Sequence, residues 1–223
     1  MLANAKSQTD GPHRTRLSSA ERRTAIIDAA VELFSRNGFR GTTTRELAAA
    51  VGVSEPVLYQ HFATKKDLYE AIVEHMLAQV ADRFESRLED LPDEATDEQY
   101  FRWLVSHIWD WYEEDKRHIR LLMFSALEGH ELSDMWHERA LGLLLEHLGR
   151  VVEARMEAGE FRVMHPMLAA EAVLGPVAHA CMLTSILGCK LPGVTKDAVV
   201  QEFVNIYLNG IRVRASQEGG TKG

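Results

Sequence analysis

The chain is poor in cysteine and proline, with two and six among its 223 residues. Cys181 and Cys189 stand eight positions apart on one predicted helix, roughly 12 Å along its axis, too far for a bridge within that helix. Thiols so placed are expected to stay reduced, as in the cytoplasm. The first seventeen residues hold no apolar run, so no secretory leader is expected there. Alternation of apolar and polar residues never extends beyond a few positions, which argues against a sheet. Internal repeats and low-complexity tracts are missing too. Catalytic signatures are equally scarce: no glycine-rich phosphate loop, no serine nucleophile elbow and no zinc-protease helix motif occurs. An enzyme is not expected.

Long uncharged stretches are also few. Residues 172 to 189 carry no formal charge apart from any proton on His179, and their length approaches that of a membrane span. Gly175-Pro176 and His179 interrupt the run, and charged amphipathic segments flank it. A helix buried all round in a bundle or dimer interface is the expectation, with no membrane partner.

What the chain does have is helix punctuation, and the expected class is all-α. Ser18 with Glu21 forms a capping box for a first helix that runs to Asn37-Gly38. Thr43 with Glu46 forms another, so a second helix starts near Thr44 and ends at Gly52, the residue best able to take a left-handed turn. Ser54 is expected to cap a third helix, with Pro56 in its first turn, where a missing amide hydrogen costs little. Leu58 and Phe62 face inward on that helix, leaving Glu55, Tyr59, Pro56 and Gln60 outward. Two short helices around a tight turn make a helix-turn-helix, whose outward row fits a DNA major groove. Thr64 with Asp67 caps a fourth helix from Lys65 to about Asp90, which puts Lys65 and Lys66 near a passing phosphate backbone. Further helical patterns cover about 97 to 116, 117 to 128, 133 to 158, 166 to 188 and 196 to 215, with breaks at Gly129, Gly159, His165-Pro166 and Lys190 to Gly193.

The stretch from Ser18 to about Met76 resembles the DNA-binding domain of the TetR family of transcriptional regulators. The resemblance rests on Gly38-Phe39, Thr42-Thr43, Arg45, Leu47-Ala48, Gly52-Val53-Ser54, Leu58-Tyr59, His61-Phe62 and Lys65. It implies phosphate contacts from Thr43, Thr44, Tyr59, His61 and Lys65, and base contacts from Arg45, Glu55, Pro56, Val57 and Gln60. Glu55 departs from the residues commonest at its position; it either accepts from a cytosine amino group or points at solvent.

Charge is distributed to match. The whole chain has a net charge of −8, yet residues 1 to 66 carry +4 and residues 67 to 223 carry −12. A basic head on an acidic body turns only the head toward phosphates. The arm, with Lys6, His13, Arg14 and Arg16, is either a frayed terminus or a segment that lies along a minor groove. The domain reading is a flexible arm at 1–17, a DNA-binding head at 18–66, an effector-binding and dimerisation body at 67–215, and a flexible tail at 216–223.

In the body, all four Trp and several other aromatics lie between Tyr100 and Trp136. They read either as ordinary core or as the wall of a cavity for an apolar or aromatic ligand. TetR-like architecture implies an effector pocket here, and Trp103, His107, Phe124 and Trp136 are its candidates. His130, Asp134 and His137 have spacing compatible with a metal site, but no Cys joins them and the family needs none, so neither metal nor cofactor is expected. An apolar stripe through Phe203, Ile206, Tyr207 and Ile211, with Gly210 allowing close approach, packs either within the subunit or against a partner. The resemblance implies a homodimer through the last two long helices, with Phe203, Ile206, Tyr207 and Gly210 at the interface. The resulting reading is a homodimeric repressor on a palindromic duplex operator, relieved by a small ligand. The alternative is a DNA-independent ligand-binding or enzymatic helical protein.

Overall fold

The computed structural model describes residues 18–88, 91–92, 94–189 and 192–213; for 83–88 only the backbone helix is described. The expected arm at 1–17 and tail at 216–223 lie outside these residues. Ten α-helices follow one another: α1 (Ser19–Asn37), α2 (Thr44–Val51), α3 (Glu55–His61), α4 (Lys65–Leu88), α5 (Asp97–Glu114), α6 (Lys116–Glu128), α7 (Glu131–Trp136), α8 (Gly142–Glu157), α9 (Pro166–Ser185) and α10 (Lys196–Ile211). Among the described residues the extended pairing is limited to one isolated antiparallel bridge between Phe161 and Arg212. The fold is all-α.

The helix starts follow their caps. Ser18 and Glu21, Thr43 and Glu46, and Thr96 and Gln99 each close a reciprocal capping box. Thr64 and Asp67 exchange amide bonds of 2.9 and 3.1 Å ahead of α4. Ser54 differs from expectation, because its side chain accepts no capping bond. Two positions into α3 stands Pro56, which has no amide hydrogen to offer, and the Val57 amide is already bonded to the Ser54 carbonyl at 3.0 Å. α9 and α10 end at Ser185 and Ile211, earlier than the apolar pattern suggests.

The expected helix over 133–158 starts at Glu131 and contains a π turn, His137–Leu141, between α7 and α8. There the Gly142 amide reaches the His137 carbonyl five residues back. The extra residue per turn rotates α8 relative to α7 and aims Arg139 and Leu141 at a cavity described below.

Two cores result. The head core joins Ile26, Phe34, Phe39, Leu47, Leu58, Phe62, Ile72 and Met76 with Leu121 of α6 and Leu132 of α7. The body core joins Phe101, Leu104 and Val105 of α5 with Leu148, Val152, Val173, Val177, Val204 and Leu208. Body helices thus complete the head. α9 is long and apolar enough to cross a membrane, but it packs on α5, α8 and α10. Only 33% of its most apolar window is buried. It is therefore not buried all round within one protomer, and part of its apolar surface faces outward. Cys181 is buried on α9 and Cys189 is exposed; both are free.

Candidate nucleic-acid interface and ligand cavity

α2 and α3 meet around Gly52, whose φ of 73° and ψ of 33° place it in the left-handed region. Leu47, Ala48, Leu58 and Phe62 are buried beneath them. Their outer side presents Thr43, Arg45, Pro56, Tyr59, Gln60, Lys65 and Lys66 as exposed residues, with Thr44, Glu55, Val57 and His61 half-buried beside them. All ten sequence-selected DNA-contact candidates are therefore exposed or half-buried, and Thr43, Thr44, Tyr59 and Lys65 border one surface depression. Tyr59 is 47% exposed, large for an aromatic ring with nothing to cover it in the free protein.

Three candidates already have internal work. The Thr43 hydroxyl accepts from the Glu46 amide at 3.2 Å and donates to the Glu46 carboxylate at 2.9 Å. The Thr43 amide beside Glu46 holds that carboxyl below the usual carboxylate range. The Thr44 hydroxyl donates to Glu55 Oε2 at 2.8 Å. Glu55 is thus tied back across the turn rather than directed freely at solvent, and its carboxylate fixes α3 against the start of α2.

A cavity of about 530 Å³ lies in the body between α4, α5, α6, the π turn, α8 and α9. That size suits a small organic ligand. His107 and Trp136 line it, as do Trp111, Tyr112, Ile108 and Leu144. Trp111 stacks on Trp136 at 5.3 Å with their planes 7° apart, forming a rigid aromatic wall. Trp103 and Phe124 are not part of the lining. The Trp103 ring is buried in the body core against His107, at 4.4 Å between centroids. Phe124 turns the other way, toward Gly38 at the end of α1. Burial pushes the Tyr112 hydroxyl up to about 12, so it stays protonated at the cavity wall.

The three-residue set proposed from spacing does not converge. His130 is the N-cap of α7, its Nδ1 accepting from the Leu132 amide at 3.2 Å. Its ring stacks on Phe39 at 3.9 Å and meets the edge of Tyr69 at 4.2 Å. Desolvation holds its pKa below the ordinary histidine value. Asp134 and His137 are both exposed, and no cluster of three potential metal-holding side chains occurs among the described residues.

Sequence spacing also hid the contacts that join head to body. Glu128, at the end of α6, accepts from the Phe39 and Arg40 amides at 3.1 Å each. Arg120 donates to the Ser35 carbonyl at 2.9 Å, and Arg117 donates to Glu32 at 3.3 Å. On another face of α6, Ile119 and Leu122 line the cavity. A sequence-level hint existed in Gly38, since only glycine fits there: its φ is 72°, and an added Cβ would lie 2.2 Å from the Glu128 carboxylate.

On α10, Ile206 is 68% exposed, Phe203 is partly exposed, and Gly210 has open space beside it. Tyr207 differs from these. It is 7% exposed and donates its hydroxyl to the Ala169 carbonyl at 3.0 Å, inside its own protomer. It lies one helical step from Ile206, about 100° round the axis, and so falls on the inward face.

Residues 26–72 match the profile for bacterial regulatory proteins of the tetR family, and residues 113–210 match the C-terminal domain of AefR-like transcriptional repressors. The chain is 31% identical over 150 residues to the HTH-type transcriptional repressor NicS of Pseudomonas putida, an alignment covering 66% of this chain and 69% of that one. It is 34% identical over 107 residues to the HTH-type transcriptional activator FasR of Mycolicibacterium smegmatis, spanning 48% of each chain. In fold it is similar to AibR, solved with isovaleryl coenzyme A and operator DNA, at a TM-score of 0.64 and 23% identity, covering 83% of this chain and 97% of that one. With a helix-turn-helix head, a helical body and these relatives, the chain belongs to the tetR family of bacterial regulatory proteins and is a DNA-binding transcriptional regulator.

Proposed function

We propose that this regulator acts in the cytoplasm as a homodimeric repressor. Each head of the dimer reads half of a palindromic operator, and an apolar or aromatic effector in the body cavity releases the DNA. The observation that carries this reading is the double engagement of α6. One face of the helix borders the cavity through Ile119 and Leu122, while Arg117, Arg120 and Glu128 grip the end of α1. A ligand that favours a different position of α6 must change the placement of the heads, and thereby operator affinity.

At the DNA, Arg45, Glu55, Pro56, Val57 and Gln60 are the proposed base readers, and Thr43, Thr44, Tyr59, His61 and Lys65 the proposed phosphate contacts. Thr44 and Glu55 move as a pair because they are hydrogen-bonded. Dimerisation is proposed through the outward faces of α9 and α10, where Phe203, Ile206 and Gly210 are accessible. A dimer matters energetically because two half-sites supply the contacts that one short recognition helix lacks.

Selecting bound sequences from random duplex DNA tests the reading. The expected product is a palindrome with half-sites about 34–36 Å apart, or a multiple of that spacing. Recovery of no enriched sequence at moderate salt would refute operator recognition.

A further inference from the structure

Taking the cavity as the effector site proposed above, its polar atoms narrow the chemistry of the ligand. His107 and Trp111 lie four residues apart on α5, and both line the cavity. His107 Nδ1 is 2.6 Å from the Trp103 carbonyl oxygen. A carbonyl only accepts, so Nδ1 carries the proton; in the neutral ring Nε2 is then an acceptor. That Nε2 is buried with no hydrogen-bond partner. Trp111 Nε1, which can only donate, is buried and unpartnered as well. Trp109 Nε1 shares that condition, but Trp109 does not line the cavity.

Side chains four apart on a helix are neighbours, about 5–6 Å between Cβ atoms. His107, with an unpartnered acceptor, and Trp111, with an unpartnered donor, are therefore neighbouring side chains in a wall that also holds Tyr112, Arg139 and His147 and is otherwise built of residues such as Leu104, Ile108, Ile119 and Leu144. We infer that the effector is an apolar molecule bearing a neutral hydroxyl, whose O–H donates to His107 Nε2 while its oxygen accepts from Trp111 Nε1–H. A hydroxyl satisfies both atoms at once. An ether oxygen satisfies only the indole, and a hydrocarbon satisfies neither. A carboxylate sets negative charge against the His107 lone pair and must be stripped of water, so it would be held by Arg139 of the lining and would leave the His107–Trp111 pair unsatisfied. Unpaired buried polar groups are costly enough to discriminate among such ligands.

Four matched probes test this on the full-length protein: 4-butylphenol, 4-butylanisole, butylbenzene and 4-butylbenzoate, titrated by tryptophan emission. The phenol is expected to bind about tenfold or more tightly than the other three, since one lost buried hydrogen bond is worth that much. His107→Phe removes the acceptor and is expected to bring phenol and anisole to similar affinity. Trp111→Phe removes the donor and is expected to weaken phenol and anisole alike. If His107→Phe fails to fold by circular dichroism, the wild-type ranking and Trp111→Phe decide. Equal binding of butylphenol and butylbenzene overturns the hydroxyl site while leaving the cavity as an apolar effector site. Tightest binding by the benzoate overturns it by showing that charge, such as that of Arg139 in the same lining, selects the ligand in place of the His107–Trp111 pair. Binding by none of the four overturns both the hydroxyl site and the effector reading of the cavity.

Discussion

The junction between Gly38 and Glu128 can be taken apart by a double-mutant cycle. Glu128→Ala removes two charge-assisted bonds to the Phe39 and Arg40 amides, each 3.1 Å long. Bonds to a charged group contribute about 1.5–3 kcal/mol each where desolvated. The Arg40 side of this junction is exposed, so the pair together is expected to contribute about 2–3 kcal/mol. Gly38→Ala acts twice. Its φ of 72° with ψ of 177° is a conformation essentially restricted to glycine, which costs any other residue about 1–3 kcal/mol. Its new Cβ also displaces the Glu128 carboxylate, only 2.2 Å away, and so forfeits the same bonds. The single variant should lose about 3–6 kcal/mol. With the carboxylate already gone, Gly38→Ala should add only its backbone strain. The double variant should thus be no worse than Gly38→Ala alone, a coupling of about 2–3 kcal/mol. Urea unfolding at one fixed protomer concentration measures all four corners, because stability of a dimer depends on that concentration. Full additivity, or a Gly38→Ala cost below about 0.5 kcal/mol, would refute the junction as described.

Other expectations follow from the same structure. Lys65→Ala should weaken binding to all duplexes about equally and flatten the salt slope by about one unit, whereas Arg45→Ala should relax one position per half-site by roughly 1–3 kcal/mol; fluorescence anisotropy over a salt series separates them. Charged residues in place of Phe203 and Ile206 together should yield monomers with collapsed operator affinity, while Tyr207→Phe should cost about 1 kcal/mol of stability and leave the dimer intact in sedimentation. His130 has a folded pKa depressed below the ordinary 6.5, so the unfolded state binds its proton first and stability falls as pH drops through and below that value. His130→Asn keeps a capping acceptor and should remove that part of the acid sensitivity; an unchanged pH profile in thermal melts would assign it elsewhere.

Much of this was legible in the chain because helix starts are local. Ser18, Thr43 and Thr64 bond to partners only three residues away, so their spacing in sequence is their spacing in space. Ser54 shows the limit of such rules. The cap position was right, but the side chain makes no capping bond, and a proline two positions later removed one of the amides it would bond. The π turn left no trace in the apolar pattern, since His137–Leu141 sits inside an otherwise continuous helix-forming run. Aromatics occupy several sides of α5, so periodicity did not tell Trp103, buried in the body core, from Trp111 at the cavity. For α10, a stripe of Phe203, Ile206 and Tyr207 covers both an outward and an inward edge, and the Tyr207 bond to Ala169 had no local signature.

Coupling between cavity and head asks little of the chain beyond the stiffness of α6. Its thirteen residues span about four turns, and the hydrogen bonds along them make it move as a rod. Ile119 and Leu122 meet the cavity within the first two turns, while Glu128 holds Phe39 and Arg40 at the far end. A rotation of the rod too small to disturb its own backbone therefore displaces the Glu128 carboxylate relative to amides that tolerate little change in distance. Arg117 and Arg120 share the displacement through Glu32 and Ser35, so the head is pulled at α1 rather than at the recognition helix. Direction follows from differential affinity alone: the ligand releases DNA only if the α6 position it favours differs from the one the bound operator favours. A ligand that prefers the operator-bound position would tighten DNA binding on the same scaffold. The sign of regulation thus belongs to the fit between cavity and ligand, and the rod transmits either one.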